Sequence, residues 1–412
     1  MKHNKILGVV FLTILLDLLG LGILIPIFPA LIEVNSAFRV IPDSWSYAEG
    51  FIMLGWLMAT FPLLQFVCTP ILGQLSDRFG RRTILIFSII GTALSYLIFA
   101  FGIVSKSIVI LFIARAIDGM SGANIAVAQA IIGDISPVKD RARNFGLIGV
   151  ALGLGFIIGP FVGGILSDHT LISWFNPTIP FLFAACMSGV NMLVVLKFLP
   201  ETVPVKIMKR IDITRPFNNV IKAFSIPHIS SIMTSIFLFN SGFAFFTTFW
   251  GVVLALKFGF SQSGIGNYFA YTGIMIVLAQ GLFVRRLSGK VAEHKVLYYS
   301  IILTGLAILV NYLIPSVHVS WLYFTPPFLA IGASLTRSFS VALLTNISPA
   351  EIRGEIMGIN ASTFALSQIF PSVLAGYLAA AHASLPILVG SVCAILGGLI
   401  FIYTWIKSHR VC

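Results

Sequence analysis

The chain has 412 residues, of which 58% are hydrophobic and only 10% are charged, and its mean hydropathy is +1.00. Soluble proteins carry about 25% charged residues, so a water-soluble domain is excluded and a lipid-embedded protein is predicted. The net charge of +12 would suit a nucleic-acid partner, but the distribution of the basic residues among the loops argues against one.

Apolar runs recur along nearly the whole chain, and each is about as long as the 20 residues that a membrane-spanning helix needs. We therefore predict an all-α polytopic membrane protein with twelve transmembrane helices. We expect the first run to be retained, because it is longer than the apolar segment of a secretory signal. The predicted spans are 6–31, 47–72, 83–104, 107–133, 144–167, 179–199, 229–256, 262–284, 296–315, 320–346, 355–381 and 385–406.

Basic residues are concentrated in alternate loops. If the N-terminus is cytoplasmic, the opposite loops hold only Arg39, Lys106 and Lys257. This asymmetry predicts a multi-pass protein of the inner (plasma) membrane with both termini in the cytoplasm. We expect the basic surplus to contact membrane lipid, with no nucleic acid as a partner.

The longest loop predicts a division into two halves, namely an N-terminal six-helix bundle (1–199), a basic cytoplasmic linker (200–228) and a C-terminal six-helix bundle (229–412). The second half repeats the first, since Ile135-Ser136-Pro137 recurs as Ile347-Ser348-Pro349 at an offset of 212 positions. Two pseudo-symmetric bundles with a substrate path between them are a recurring plan of secondary transporters.

Two glycine-rich motifs lie in the first half. The connection between spans two and three combines glycines that permit a tight reversal with an acid and three arginines. In span five, glycines at every fourth position form a groove that another helix can approach closely, and a proline kinks the helix. The first motif comprises Gly73, Asp77, Arg78, Gly80, Arg81 and Arg82, and the second comprises Gly155, Gly159, Pro160, Gly163 and Gly164.

These motifs resemble those of the major facilitator superfamily. The first is similar to the family's cytoplasmic loop signature G-x-L-x-D-R-x-G-R-R, and the second to the antiporter signature G-x-x-x-G-P-x-x-G-G. Span one reads D-x-x-G-x-G-x-x-x-P-x-x-P from Asp17, and span four reads R-x-x-x-G-x-x-G from Arg115. Both patterns resemble the tetracycline-efflux and multidrug branch of drug–proton antiporters.

The resemblance implies a major facilitator fold in which the loop motif gates the cytoplasmic side. It implies that Arg81 pairs with Asp134 at the end of span four, and that Asp77 docks against the start of span eleven. It also implies a proton as the coupling ion, no other cofactor, and a protein that works as a monomer.

Two acids lie deep in the predicted spans. Asp17 is about 11 residues, or roughly 16 Å, into span one, and Asp118 is similarly deep in span four. A charge at that depth costs at least ~2.5 kcal/mol, which makes each acid a functional candidate. Arg115 can form a static ion pair with Asp118 three residues away. The alternative is a proton relay, with Asp17 as the first candidate carrier, Asp118 as the second, and Arg115 competing with the proton.

Arg337 lies roughly 16 Å inside span ten, and no acid of the second half is deep enough to pair with it. This favours an anionic or zwitterionic substrate, or a pairing across the halves with Asp17 or Asp118. Tetracycline exporters usually carry an acid in span nine, which this chain lacks, so tetracycline itself is disfavoured. The other predicted substrate-binding residues are Gln129, Asn124, Asn240, Phe243, Phe246 and Gln368.

The sequence thus predicts a secondary active transporter that exports small amphipathic molecules in exchange for protons by alternating access. One alternative is a transporter of a specific metabolite, such as an amino acid or a siderophore. Another is a non-transporting membrane sensor or scaffold. Because the sequence has no nucleotide-binding loop, nucleophile constellation or metal-ligand cluster, neither an enzyme nor a metal site is predicted.

Overall fold

A computed structural model describes residues 2–33, 36–137, 141–202, 214, 217–218, 220–222, 229–348 and 353–409. Most of the predicted linker (200–228) lies outside these residues. The long helices are α1 (Lys2–Ile32), α2 (Tyr47–Phe79), α3 (Arg81–Val104), α4 (Ile108–Ser121), α5 (Asn124–Ile135), α6 (Arg141–Ser167), α7 (Ile179–Phe198), α8 (Ile229–Phe258), α9 (Gln262–Ala279), α10 (Glu293–Leu313), α11 (Thr325–Ile347), α12 (Arg353–Ala381) and α13 (Leu385–His409).

The predicted all-α polytopic fold is confirmed. Within the described residues, eleven helices are long and apolar enough to cross a membrane. The remaining predicted span, 144–167, corresponds to α6, in which the apolar stretch Gly153–Ser167 is shorter. Helix α9 continues through a π-helical turn, Gln280–Val284, and a 3-10 turn, Val319–Phe324, precedes α11.

The structure corrects one local prediction and refines another. Gly73 does not form a turn, because α2 continues past the predicted membrane boundary to Phe79. The reversal occurs at Gly80 alone, where φ is +108°, a value that favours glycine. The predicted span 107–133 matches one candidate span, Ile108–Ile135, which has a local break where α4 ends at Ser121 and α5 begins at Asn124.

Helix α2 begins at a capping box. The Ser46 hydroxyl accepts a hydrogen bond from the Glu49 backbone N–H, and the Glu49 carboxylate accepts one from the Ser46 backbone N–H at 2.7 Å. Together these bonds satisfy two backbone donors that the helix itself leaves without partners.

The chain forms two units. Unit 1 comprises Met1–Gly50, Thr60–Ile213 and Phe260–Ala270, and unit 2 comprises Phe51–Ala59, Thr214–Gly259 and Tyr271–Cys412. In unit 1, α1 packs along α6 and α3 along α4. In unit 2, α8 packs along α13, and α10 packs between α11 and α13.

The internal repeat is visible in glycine contacts within each unit. In unit 1, a Cβ on Gly164 would lie 2.9 Å from Gly266 Cα. In unit 2, a Cβ on Gly376 would lie 3.2 Å from Gly55 Cα. Gly164 and Gly376 are related by the offset of 212 positions, so each unit contains the same close helix crossing.

Candidate functional site

Unit 1 contains a buried ion pair between Arg115 and Asp118 on α4. Arg115 Nη1 lies 2.9 Å from Asp118 Oδ2, and the two residues are 3% and 5% exposed. The guanidinium carbon is also 4.8 Å from the centre of the Phe61 ring. The spacing of three residues places both side chains on one face of the helix, so local sequence is sufficient to bring them together.

Asp17 on α1 belongs to the same polar cluster but lacks such a partner. Its Oδ2 is enclosed and accepts no hydrogen bond from the described residues. The Asn124 amide adjoins this carboxyl group, yet neither amide atom makes a well-formed hydrogen bond, although Asn124 is fully buried. Buried polar groups without hydrogen bonds are costly in free energy. A cluster of them indicates a site where binding a proton or a ligand would be stabilising.

Tyr96 on α3 closes the cluster and was not among the predicted site residues. It is 3% exposed, and its hydroxyl group lies against Gly20, one turn after Asp17. A Cβ at Gly20 would overlap that hydroxyl group. The Gly20 position within the first-span motif was a signal that some side chain needs this space, but it did not identify which one.

The glycines of α6 form the surface against which α1 packs. A Cβ on Gly155 would lie 2.6 Å from Leu18 Cβ, and a Cβ on Gly159 would lie 2.6 Å from the Leu19 carbonyl oxygen. Gly163 makes the equivalent approach to Ile23. The α6 glycines therefore let α1 approach at backbone distance and fix the position of Asp17 on it.

Arg81, the first residue of α3, is the centre of a second polar cluster in unit 1. Its guanidinium group lies 2.5 Å from Asp77 Oδ1 and 3.2 Å from Asp134 Oδ2, and it donates to the Ser76 hydroxyl group at 2.6 Å. One side chain thus joins the ends of α2, α3 and α5. The predicted contact of Asp77 with the start of span eleven involves side chains outside the described part of the chain.

The sequence analysis missed the role of Glu201 in this cluster. Its carboxylate accepts a hydrogen bond from the Arg81 backbone N–H at 2.8 Å and lies against Gly80. Nearby, the Arg82 guanidinium group donates to the Leu196 carbonyl oxygen at 2.6 Å. Because Glu201 is 120 residues from Arg81, no local pattern predicts this cap.

In unit 2, Arg337 on α11 is a cation that forms no ion pair with the described residues and lies against aromatic rings. Its guanidinium carbon lies 5.5 Å from the centre of the Phe243 ring and 5.8 Å from that of Phe364. Phe243 was predicted as a substrate contact, whereas Phe364 was not. Both distances are within the range in which an aromatic face attracts a cation.

The remaining predicted substrate residues are divided between the two units. Asn240 and Phe246 are 6% and 2% exposed in unit 2, and the Phe246 ring stacks on Trp250 at 5.1 Å. Gln368 is half-buried in unit 2, whereas Gln129 is exposed in unit 1. Among the described residues, no group of three His, Cys, Asp or Glu residues is placed to bind a metal ion.

The fold and these motifs define a membrane transporter, and comparison with known proteins identifies the family. The model of the Major Facilitator Superfamily matches residues 10–370, so the chain belongs to this family. Members of the family are generally not enzymes.

The chain is similar to proteins named for drug resistance. It is 30% identical to the class C tetracycline resistance protein of Escherichia coli over 387 residues, which cover 93% of this chain and 92% of that protein. It is 26% identical to multidrug resistance protein 2 of Bacillus subtilis (strain 168) over 401 residues, covering 96% and 94%. The crystal structure of the human organic anion transporter MFSD10 superimposes with a TM-score of 0.71 at 24% identity, covering 97% and 99%, which shows a shared fold.

Proposed function

We propose that this chain is a proton-coupled exporter of small amphipathic molecules in the inner membrane, with both termini in the cytoplasm. It exchanges substrate for protons by alternating access, without any other cofactor, and works as a monomer. The similarity to tetracycline and multidrug resistance proteins supports drug-like substrates. The concentration of basic residues in alternate loops supports the orientation.

The observation that supports this function most directly is the contrast between Asp17 and Asp118. The charge of Asp118 is compensated by Arg115 at 2.9 Å, whereas Asp17 Oδ2 accepts no hydrogen bond from the described residues. An enclosed carboxylate oxygen without a donor is costly, and binding a proton there removes that cost. Asp17 is therefore the first candidate for the proton carrier, and Asp118 with Arg115 is the second.

A switch follows from this geometry. When Asp17 loses its proton, the new negative charge appears in the cluster that contains the Arg115–Asp118 pair. The guanidinium group is then shared between two carboxylates, and α1, which carries Asp17, shifts in response. Because α1 is seated on the α6 glycines, a shift of α1 is passed to the backbone of α6.

The Arg81 cluster supplies the second element of the proposed mechanism. In one conformation its ion pairs hold the ends of α2, α3 and α5 together, and breaking them releases those ends. Such charge networks at helix ends suit a cytoplasmic gate, because they form and break with little change in buried apolar area.

The test is proton flux in energised inverted vesicles that contain the full-length protein and a pH-sensitive dye. A panel of cationic, zwitterionic and anionic drugs is added to the wild type and to Asp17→Asn, with Asp43→Asn as the matched control in an exposed loop. We expect substrate-evoked proton efflux in the wild type and the control but not in Asp17→Asn.

A second readout separates coupling from folding. We expect Asp17→Asn to retain exchange of labelled substrate for unlabelled substrate without a proton gradient, because exchange needs no net proton movement. If proton coupling is lost in Asp118→Asn but intact in Asp17→Asn, the proton carrier is Asp118 rather than Asp17. Absence of proton flux with every compound in a folded, inserted wild type would refute antiport.

A further inference from the structure

We propose that Arg337, Phe243 and Phe364 form a recognition site for an anionic group on an amphipathic substrate. The proposal rests on the transport function above and specifies the substrate class, namely organic molecules with a carboxylate or similar oxyanion beside an apolar body. All three residues belong to unit 2.

The two rings hold the Arg337 guanidinium group without using its N–H donors. Phe243 on α8 and Phe364 on α12 lie 5.5 and 5.8 Å from the guanidinium carbon. In the described part of the chain, the Arg337 side chain makes no hydrogen bond or ion pair, although the group has five N–H donors. Attraction to ring faces fixes the cation and leaves its planar edge available for a ligand.

Among the described side chains of unit 2, no acid is placed to neutralise this charge. The sequence from residue 214 to 412 contains only Glu293, Glu351 and Glu355 as acids. Glu293 accepts a hydrogen bond from Asn346 at 2.9 Å, and Asn346 lies about 13 Å further along α11 than Arg337. Glu351 and Glu355 follow the end of α11 in sequence, and their side chains lie outside the described part of the chain. Within the described residues of unit 2, no carboxylate pairs with Arg337, in contrast to Arg115 in unit 1, which pairs with Asp118.

The exposed side of Arg337 is not the lipid-facing side of α11. Phe328 on the same helix is 55% exposed, and the offset of nine positions from Phe328 to Arg337 corresponds to about 180° of rotation. A phenylalanine suits hydrocarbon, whereas an arginine in the middle of a spanning helix faces protein or water. Val341, one turn beyond Arg337 on its side, is 44% exposed and adds apolar surface beside the charge.

This combination selects a ligand of defined chemistry. A guanidinium group binds a carboxylate through two parallel N–H···O bonds, which fix the orientation of the ligand as well as its charge. The Phe364 ring is 39% exposed and offers a flat apolar surface next to that bond. An aryl carboxylate satisfies both features, whereas its uncharged amide keeps the apolar contact but offers only one acceptor oxygen and no charge, and an arylmethylammonium ion is repelled.

The test uses equilibrium binding to the purified full-length protein in lipid nanodiscs, without a proton gradient. The probes are 2-naphthoate, 2-naphthamide and 2-naphthylmethylammonium, which share a ring system and differ in charge. We expect naphthoate to bind about 10- to 100-fold more tightly than naphthamide, as for a hydrogen bond to a charged group. Equal affinities for naphthoate and naphthamide, or no naphthoate binding up to its solubility limit, would overturn the proposal.

Variants assign the preference to the proposed residues. We expect Arg337→Met to reduce the preference to within about twofold and Arg337→Lys to retain part of it, because lysine keeps the charge but not the planar fork. Phe364→Leu should weaken the binding of naphthoate and of naphthamide by similar factors. Arg286→Met removes an exposed arginine of the same unit and should change neither affinity. If Arg337→Met does not fold, the proposal is still tested by the ratio of naphthoate to naphthamide affinity in the wild type and in Arg337→Lys.

The result is separable from the test of proton coupling. A carboxylate preference that survives in Arg337→Met would refute this site, even if substrate-evoked proton flux is intact. A preference that depends on Arg337 in a protein without proton flux would refute antiport and leave the site standing.

Discussion

The Asp168 carboxylate accepts a hydrogen bond from the Ser263 hydroxyl group at 2.6 Å, although the two residues are 95 positions apart. The same oxygen accepts a bond from the Ser263 backbone N–H at 3.3 Å, and the other carboxylate oxygen accepts one from the Thr170 hydroxyl group at 2.6 Å. Asp168 is fully buried, and it joins the end of α6 to the first turn of α9 within unit 1. A carboxylate at a helix N-terminus is also favoured by the helix dipole.

These bonds predict how the stability of the contact depends on pH. Burial raises the pKa of Asp168, but the hydrogen bonds from Ser263 and Thr170 outweigh it and lower the pKa from 3.8 to about 2. A lowered pKa stabilises the folded protein above the unfolded value, and that stabilisation is lost as the pH falls through the folded value. The contribution is about 2 kcal/mol at neutral pH and decreases between about pH 4 and pH 2.

Thermal unfolding of the detergent-solubilised protein at several pH values tests this prediction. We expect Asp168→Asn to be less stable than the wild type by a constant amount above about pH 5, with a smaller difference as the pH falls below 4. Ser263→Ala should lose part of the same stabilisation. The variant with both substitutions should be destabilised by less than the sum of the two single losses. A difference that does not change with pH would contradict the assignment to ionised Asp168.

Gly159→Ala should destabilise unit 1. The new Cβ would lie 2.6 Å from the Leu19 carbonyl oxygen and 2.9 Å from Gly22 Cα, so α1 and α6 must move apart. Overpacking of this kind costs about 1–3 kcal/mol. Gly189→Ala on α7 is the matched control, because no atom lies within 4 Å of its added Cβ. The measurement is thermal unfolding, and equal stability of the two variants would show that α1 is not seated on the α6 glycines.

Glu201→Ala should weaken the start of α3. The carboxylate accepts the Arg81 backbone N–H at 2.8 Å, which acts as a cap supplied from the end of α7. Loss of a capping acceptor costs about 0.5–2 kcal/mol, and an exposed site favours the lower end. Glu201→Gln keeps an acceptor oxygen and should lose less stability than Glu201→Ala. The control Glu33→Ala, in an exposed connection, should not change the stability. Equal stability of Glu201→Ala and Glu33→Ala would show that the cap contributes nothing.

Removing one member of the Arg115–Asp118 pair should cost more than removing both. Asp118→Leu leaves the buried guanidinium group without its carboxylate at 2.9 Å, for which the expected loss is about 3–5 kcal/mol. Arg115→Met combined with Asp118→Leu removes both charges and should be more stable than Asp118→Leu alone. Thermal unfolding of the single and double variants gives the coupling energy, and simple additivity would contradict a tight pair.

Much of the first unit's chemistry could be predicted because it depends on short spacings. Arg115 and Asp118 share a helix face at a spacing of three residues, and the α6 glycines form a groove at a spacing of four. The prediction failed at Gly73, where a glycine that permits a turn instead lies inside α2. Glycine allows a reversal but does not impose one, and here the helix ends where φ becomes positive at Gly80.

The sequence by itself determined the membrane-spanning helices, because a run of about 20 apolar residues is unstable in water whatever it later packs against. It also predicted that Asp17, Asp118 and Arg337 lie deep in their spans. Only the tertiary structure decided that Asp17 lacks the partner that Asp118 has, and that Arg337 lies between two phenylalanine rings. Likewise, the bond from Ser263 to Asp168 joins residues that are distant in the chain, and such contacts depend on how helices pack rather than on any local pattern.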